Sequence, residues 1–514
     1  MYELIRLEEP KLQFRHEQRL EDPRDGLTLF GPLTEGAPYG LRAGVVGTRA
    51  GLDLFGRWVD RIQRPVCVDP PKLARPPFPG FEAVFGIPWD PEPVLTIEID
   101  RKKLDGSLYL DDRPQRIYQT VELFASPIVR ALTEEEVRPD IWFVVVPDEV
   151  RKYCRPMSPP VDPELRQTAI KHFASRRAAK EEIRRLDEAP ALFPELDATM
   201  SELVEPYRYA EHFRNQLKAR LLEHKISTQV LRESTIANVG PAREGGPSPG
   251  DVRRQSEIAW NVSTAAFYKA WGRPWKVADI REGVCYVGLV FKKDSRSADP
   301  RSACCAAQMF LDSGDGVVFK GAVGPWYSPE TGDFHLTREA AEELVALAVT
   351  SYRDKTKEGL PPREMFLHGK VGFHNEEWEG FRDAVDSRTS LVGVKIRDDS
   401  GFKLYRTSDT PILRGLAYVR YERLGYLWTR GWTPRLQTYP GREVPNPLTV
   451  ELNRGEASIE TVLQDILALT KLNYNSCIFG DGQPITLKFA NAVGEVLTAG
   501  PVEGIPPLPF QYYI

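Results

Sequence analysis

The run Cys285-Tyr286-Val287-Gly288-Leu289-Val290-Phe291 is a short apolar segment without a single acid, and it reads as a strand. Working outward, Met309-Phe310-Leu311 and Val317-Val318-Phe319 flank Gly314-Asp315-Gly316, the pattern of a hairpin. A helix over Thr337 to Tyr352 and a strand at Met365-Phe366-Leu367-His368 follow. Strand, hairpin, helix and strand in that order predict a sheet whose first strand is the opening run. Paired divalent metals need clustered hard oxygen ligands. A first strand that carries Val290 supplies none.

The chain has 514 residues, room for roughly two to four domains. Hydrophobic residues at 41% and charged residues at 27% describe an ordinary globular protein. No apolar run approaches the roughly 20 residues of a membrane span. The N-terminal MYELIRLEEPKLQF lacks a signal-peptide core, so a cytoplasmic location is expected. The six cysteines include no CxxC pair, which predicts buried reduced thiols instead of a zinc or disulfide framework. A net charge of -5 excludes a uniformly basic coat but leaves room for patches. Between Pro206 and Arg232 six Lys/Arg face two acids. Between Arg420 and Arg442 five arginines face one acid, interleaved with Tyr421, Tyr426, Trp428, Trp432 and Tyr439. Arginines among planar rings suit a nucleic-acid backbone, and equally a solvated sheet face over aromatic packing.

The first hundred or so residues are rich in Pro and Gly, which predicts short strands and ordered loops. Val94-Leu95-Thr96-Ile97-Glu98-Ile99 reads as a strand, and Ile117 to Leu132 has helical spacing. Asp140 to Pro147 is the continuous apolar run typical of a buried parallel strand. That alternation predicts a doubly wound α/β domain. Residues 175–188 read as a charged surface helix and Gly240–Asp251 as a flexible loop. The boundary falls near Ala278-Asp279, giving domains at 1–278 and 279–514.

Two groups of residues carry chemistry. In His212-Phe213-Arg214-Asn215-Gln216-Leu217-Lys218, the apolar Phe213, Leu217 and Leu221 recur every four residues and form a buried helical stripe. Arg214 and Lys218, also four apart, share another face. Two cations and an amide such as Gln229 can hold a phosphate through charge-assisted hydrogen bonds. Further on stand Ala259-Trp260-Asn261, Phe267-Tyr268-Lys269-Ala270, Pro274-Trp275, Leu469-Thr470-Lys471-Leu472-Asn473-Tyr474-Asn475, Pro484-Ile485-Thr486-Leu487-Lys488 and the terminal Phe510-Gln511-Tyr512-Tyr513-Ile514.

In this order the motifs resemble the MID and PIWI domains of Argonaute proteins, with the nearest likeness to short prokaryotic Argonautes. The resemblance implies an α/β fold, a Rossmann-like MID domain followed by an RNase H-like PIWI domain. It assigns a guide's 5′ phosphate to Lys218, Gln229 and Lys269, with Arg214 where the family commonly carries Tyr or His. It gives the Ile514 carboxylate and Gln229 to a Mg2+ ion shared with that phosphate. Lys471, Asn475 and Lys488 are implied along the guide backbone.

The same resemblance implies lost catalysis. Val290 stands where the family's first metal-binding aspartate is found, and Lys370 where the second is expected. Glu376 and Glu377 are expected on a solvated helix start, Asp312 and Asp315 in a turn, and His368 packed at a strand end. No PAZ domain is expected. Gly283-Val284-Cys285-Tyr286, Ala303–Phe310, Gly324-Pro325-Trp326-Tyr327 and Val444–Leu448 look closest to the Argonautes paired with a TIR-APAZ protein, the SPARTA systems. The function so implied is binding of a short guide RNA and pairing with single-stranded target DNA. That pairing activates an oligomerising TIR-APAZ NAD(+) hydrolase, which depletes NAD(+) in cells invaded by plasmid or phage. A sirtuin-like or nuclease effector, or an active guide-directed nuclease, is the alternative.

Overall fold

In the computed structural model, residues 3–67, 72–188, 194–237, 249–294, 299, 301–311, 313–356, 358–398, 401–439, 441, 443–501 and 506–514 are described. Asp312, Arg442 and most of the 240–251 loop lie outside them.

Strand Ile141–Val146 (IWFVVV) is buried at all six positions, and alternation assigns its two faces. Ile141, Phe143 and Val145 enter one core, Trp142, Val144 and Val146 another. Helix Arg49–Ile62 covers the first face through Phe55, Trp58 and Val59. Helices Arg113–Glu134 and Phe213–Leu222 cover the second through Val121, Phe124, Phe213 and Leu217. Four parallel strands lie between these layers in the order Leu95–Glu98, Ala43–Gly47, Ile141–Val146, Thr228–Arg232. This is the doubly wound order. A sheet covered on both faces has no polar side, hence the unbroken apolar reading of its middle strands.

The Pro/Gly-rich beginning departs from expectation, because it holds three helices among its described residues, Pro23–Phe30, Arg49–Ile62 and the short Phe81–Phe85. Asp22 accepts from the Arg24 N–H and Thr48 from the Gly51 N–H. Those caps satisfy first-turn donors, and the spacing of Phe55, Val59 and Ile62 prevails over the density of turn formers.

The second half is built on a ten-stranded mixed sheet. Its order is Glu3–Arg6, Leu416–Tyr421, Leu424–Leu427, Leu448–Arg454, Ser390–Asp398, Glu364–Gly369, Val284–Lys293, Ala303–Leu311, Gly316–Gly324, Leu508–Pro509. Numbered from Val284–Lys293, its first five strands lie 3-2-1-4-5, with the fourth parallel to the first. That is the RNase H-like arrangement. Cys285, Val287 and Leu289 face helix Arg338–Lys355, while Tyr286 and Val290 face the core shared with helices Ile459–Leu469 and Ala490–Leu497. At Gly288 a Cβ would lie 2.0 Å from the Thr486 carbonyl, so the backbone approach there requires glycine.

The partition at 278/279 does not hold for the beginning of the chain. Glu3–Arg6 pairs with Leu416–Tyr421 at the edge of the second sheet, and Leu12–Gln13 pairs with Lys276–Val277. Ile5 packs against the core while Leu4 is exposed, the alternation of an edge strand. Between the halves, Trp275 Nε1 donates to the Lys471 carbonyl at 3.0 Å and Tyr474 Oη to the Trp275 carbonyl at 2.8 Å. Asp315, in the hairpin turn, ion-pairs with Arg273 at 2.7 Å. Cys67 is exposed and the other five cysteines are buried thiols. No described helix is long and apolar enough to cross a membrane.

Candidate functional site

Helix Phe213–Leu222 buries Phe213, Leu217 and Leu221 against the parallel sheet, and that packing fixes where Arg214 and Lys218 stand. Lys218 is 2% exposed. Its Nζ donates to the Thr228 carbonyl at 3.2 Å, to Thr228 Oγ1 at 3.4 Å and to the Tyr512 carbonyl at 3.2 Å. Lys269, the last residue of helix Pro249–Lys269, is 1% exposed. Its Nζ donates to the same Thr228 carbonyl at 3.1 Å and to Gln229 Oε1 at 2.6 Å. Arg214 reaches the Tyr513 carbonyl at 3.5 Å. Arg214, Lys218, Gln229 and Lys269, drawn from two helices and a strand, therefore meet at one place.

The final residues complete it. Leu508–Pro509 pairs with Val317 and Val318, and Phe510 anchors the tail between Phe310 and Phe489, with ring centroids at 5.2 and 5.5 Å. Tyr512, Tyr513 and Ile514 are buried beside the cations.

Charge sets this site apart. No acid is a described partner of Lys218 or Lys269. Burial pushes both amines well below the usual lysine range, and Arg214 pushes the same way. Burial also lowers Arg214, against the pull of Glu495, which accepts from Asn215 and ion-pairs with Lys292 at 3.1 Å. Neutral carbonyls orient these cations without neutralising them. An unpaired buried charge costs several kcal/mol. The arrangement is suited to a compact anion with several acceptor oxygens, such as a phosphate.

The other expected residues part company. Lys471 does not face a groove. Its side chain is 0% exposed, its Nζ lies 2.7 Å from Glu9 Oε1 and donates to the Glu21 carbonyl at 2.7 Å. Burial lowers it to about 8 although Glu9 pulls the other way. Arg414 shares Glu9 at 3.0 Å. The expectation of a backbone contact fails here because a residue from the start of the chain has taken the charge. Lys488 is part-exposed and paired with Asp481 at 3.0 Å. Asn475 Oδ1 is buried without a hydrogen-bond partner among the described residues.

Val290 is buried, its Cγ1 3.2 Å from where a Cβ on Gly494 would stand. The parallel register pairs His368 with Gly288, and the strand ends at Gly369, one residue before Lys370. Lys370 lines a cavity of about 200 Å³ together with Leu289, Phe291, Phe334 and Phe373. His368 packs as expected, its Nδ1 2.9 Å from Thr486 Oγ1, and burial pushes it down to about 3. Glu377 corrects the sequence reading. It is buried, not solvated, accepting from the His374 and Leu336 N–H groups and contacting His335 Nδ1 at 3.1 Å. Among the described residues no group of three or more His, Cys, Asp or Glu is placed to hold a metal.

The Arg420–Arg442 patch is partly structural. Trp428 is fully buried, Arg423 donates to the Leu452 and Gly455 carbonyls, and Arg435 pairs with Asp25. Arg430 and Tyr439 instead line a polar cavity of about 500 Å³. The shared Thr228 carbonyl and those of Tyr512 and Tyr513 were missed from sequence. Every residue type has a carbonyl, and only the adjacency of Thr228 to Gln229 offered a hint.

No family model and no curated protein matches the sequence. Solved structures do. Clostridium butyricum Argonaute, bound to a guide DNA (5′ deoxycytidine) and a 19-mer target DNA, aligns with a TM-score of 0.61 at 12% identity, over 97% of this chain and 53% of that one. Drosophila Piwi aligns with a TM-score of 0.57 at 13% identity, over 99% and 56%. Aquifex aeolicus Argonaute gives 0.52 at 13% identity, over 99% and 57%. The chain spans about half the length of these structures. At such identities the likeness concerns the fold, which is that of Argonaute proteins, a Rossmann-like half followed by an RNase H-like half.

Proposed function

We propose that this chain binds the 5′-phosphorylated end of a short guide nucleic acid, in the manner of a short prokaryotic Argonaute. The carrying observation is the meeting of Arg214, Lys218 and Lys269 in a buried place where no described partner of either lysine is an acid. A terminal phosphate carries up to two charges and enough acceptors to replace the carbonyls that now hold the amines. Gln229, released from Lys269, would turn its oxygen outward. The fold-sharing Argonaute solved with guide and target DNA supports the reading.

Magnesium fits only as a companion of the phosphate. Gln229 Oε1 and the Ile514 oxygens are hard donors, but three cations repel a divalent ion until phosphate is present. When bound, the ion would supply charge neutralisation at the terminal phosphate.

The guide in this reading is RNA and the target single-stranded DNA. Base pairing supplies specificity, and the protein contributes backbone contacts and shape. Asn475 and Lys488 remain candidates for those contacts, and Lys471 does not. With Val290 and Lys370 at the positions expected to hold acids, the chain grips without cutting. The effector is then a separate TIR-APAZ NAD(+) hydrolase, with a sirtuin-like or nuclease APAZ protein as the alternative, and the complex acts in the cytoplasm.

Sequencing of co-purified nucleic acid tests the first part, with 5′-phosphorylated short RNA the expected result. Adding guide and matched target to the chain plus its TIR-APAZ partner tests the second, with NAD(+) loss expected and abolished by Lys218→Glu. Magnesium- or manganese-dependent cutting of the target by the chain alone would overturn the non-cutting assignment.

A further inference from the structure

Strands Val284–Lys293 and Glu364–Gly369 are parallel neighbours in the middle of the large sheet. Their pairing ends at Gly288 and His368. Glu364–Gly369 stops one residue later, whereas Val284–Lys293 runs on to Lys293. The strand order reverses at this pair, and in open α/β sheets ligands bind in the crevice beyond such carboxyl ends. Here the crevice holds a cavity of about 200 Å³. Close-packed interiors leave few voids of that size.

Its walls are mostly rings. Leu289 and Phe291 come from the overrunning strand, Phe334 from a segment bridged to Tyr327, and Phe373 from the turn after Glu364–Gly369. Phe291 and Phe334 stack with centroids at 5.4 Å and 20° between planes, and Phe373 is buried against Trp378 and Phe381. Gly332 leaves the loop side open, since a Cβ there would meet nothing within 4 Å. The polar lining is Lys370, Glu377 and Asn491. Both Glu377 oxygens are engaged, Oε1 by the His374 N–H and His335, Oε2 by the Leu336 N–H. Lys370 is exposed, and among the described residues its amine has no ion-pair partner.

We infer that this cavity binds a small planar aromatic molecule with one anionic group, its ring among Phe291, Phe334 and Phe373 and its anion on Lys370. The volume sets the size. An apolar cavity of about 150 Å³ accommodates a benzene ring, so a single ring with a short substituent fits here. Apolar walls with a few placed polar groups are the make-up of a ligand pocket, and a charge-assisted hydrogen bond from the ammonium favours an anion. The inference does not rest on the phosphate pocket, with which it shares no residue.

The test titrates the purified chain, by fluorine NMR, with para-fluorobenzoate and with para-fluorobenzyl alcohol, the same ring without the charge. Acetate, the charge without the ring, serves as competitor. Wild type is expected to bind the benzoate about 10-fold more tightly than the alcohol, and acetate is expected not to displace it. Lys370→Gln is expected to bind the two alike. Asn491→Trp, which sets an indole at the rim, is expected to bind neither. Both side chains are exposed, so both variants are expected to melt with wild type, and a lost signal then reads as a lost site. Should one variant melt early, the other decides. Equal wild-type affinities, displacement by acetate, a preference retained in Lys370→Gln, or binding that survives Asn491→Trp each overturn the inference. Failure of wild type to bind either probe overturns it as well and leaves the phosphate pocket untouched.

Discussion

Lys218 and Lys471 are the same residue type at the same depth, and their surroundings differ in one respect. Lys471 shares the carboxylate of Glu9 with Arg414. Lys218 shares a carbonyl of Thr228 with a second lysine, and no acid is a described partner of either. A buried charge with its counter-ion is an internal tie, and a buried charge held only by neutral oxygens is half of an ion pair whose other half comes from outside. Burial alone does not separate the two cases. The sign of the neighbours does.

The largest effect expected from this contrast is on binding. Lys218→Glu is predicted to weaken binding of a 5′-phosphorylated oligonucleotide by about 100-fold or more, measured by fluorescence anisotropy, since breaking a desolvated charge pair costs about 2–5 kcal/mol. Lys218→Met is predicted to lose binding yet leave the free protein at least as stable as wild type in urea, because an unpaired buried charge has been removed. Lys471→Met is predicted to do the opposite. It lowers stability by about 3 kcal/mol and changes the affinity of the folded protein little. If Lys471→Met lost phosphate affinity while keeping its stability, the contrast would collapse.

A smaller effect lies in proton linkage. The folded amines of Lys218 and Lys269 hold protons less tightly than unfolded ones. The free protein therefore gains stability as pH rises through the interval just below the ordinary lysine value, where the unfolded state binds more protons. A bound phosphate reverses the preference. Calorimetry at pH 8.5 in buffers of different ionisation enthalpy is predicted to show net proton uptake on binding. Heats that do not vary with buffer would contradict it.

The smallest effect concerns His368, which is neutral in the fold because burial holds it at about 3 against an ordinary 6.5. Its contribution to stability is complete above pH 6.5 and is lost as pH falls toward 3, since only the unfolded state takes up the proton. His368→Gln is predicted to flatten that loss between pH 7 and 5 in urea midpoints. An unchanged slope would show that another group carries the acid sensitivity.

Local pattern made much of this legible. The four-residue stripe of Phe213, Leu217 and Leu221 placed Lys218 on its helix, and the unbroken run at Ile141–Val146 marked a covered parallel strand. The hairpin of Ala303–Leu311 and Gly316–Gly324 followed from its Gly-Asp-Gly turn. Non-local pairing was not legible. Nothing near Lys471 in sequence announces that Glu9, more than 460 residues earlier, will neutralise it. Glu377 looked solvated because two of its partners, His335 and the Leu336 N–H, come from a separate loop.

The most direct measurement is the affinity of the purified chain for two oligonucleotides identical except for a 5′ phosphate or a 5′ hydroxyl, repeated with Lys218→Met. The account predicts a preference for the phosphate of about 30-fold or more in wild type, abolished by Lys218→Met. Equal affinities in wild type would contradict it.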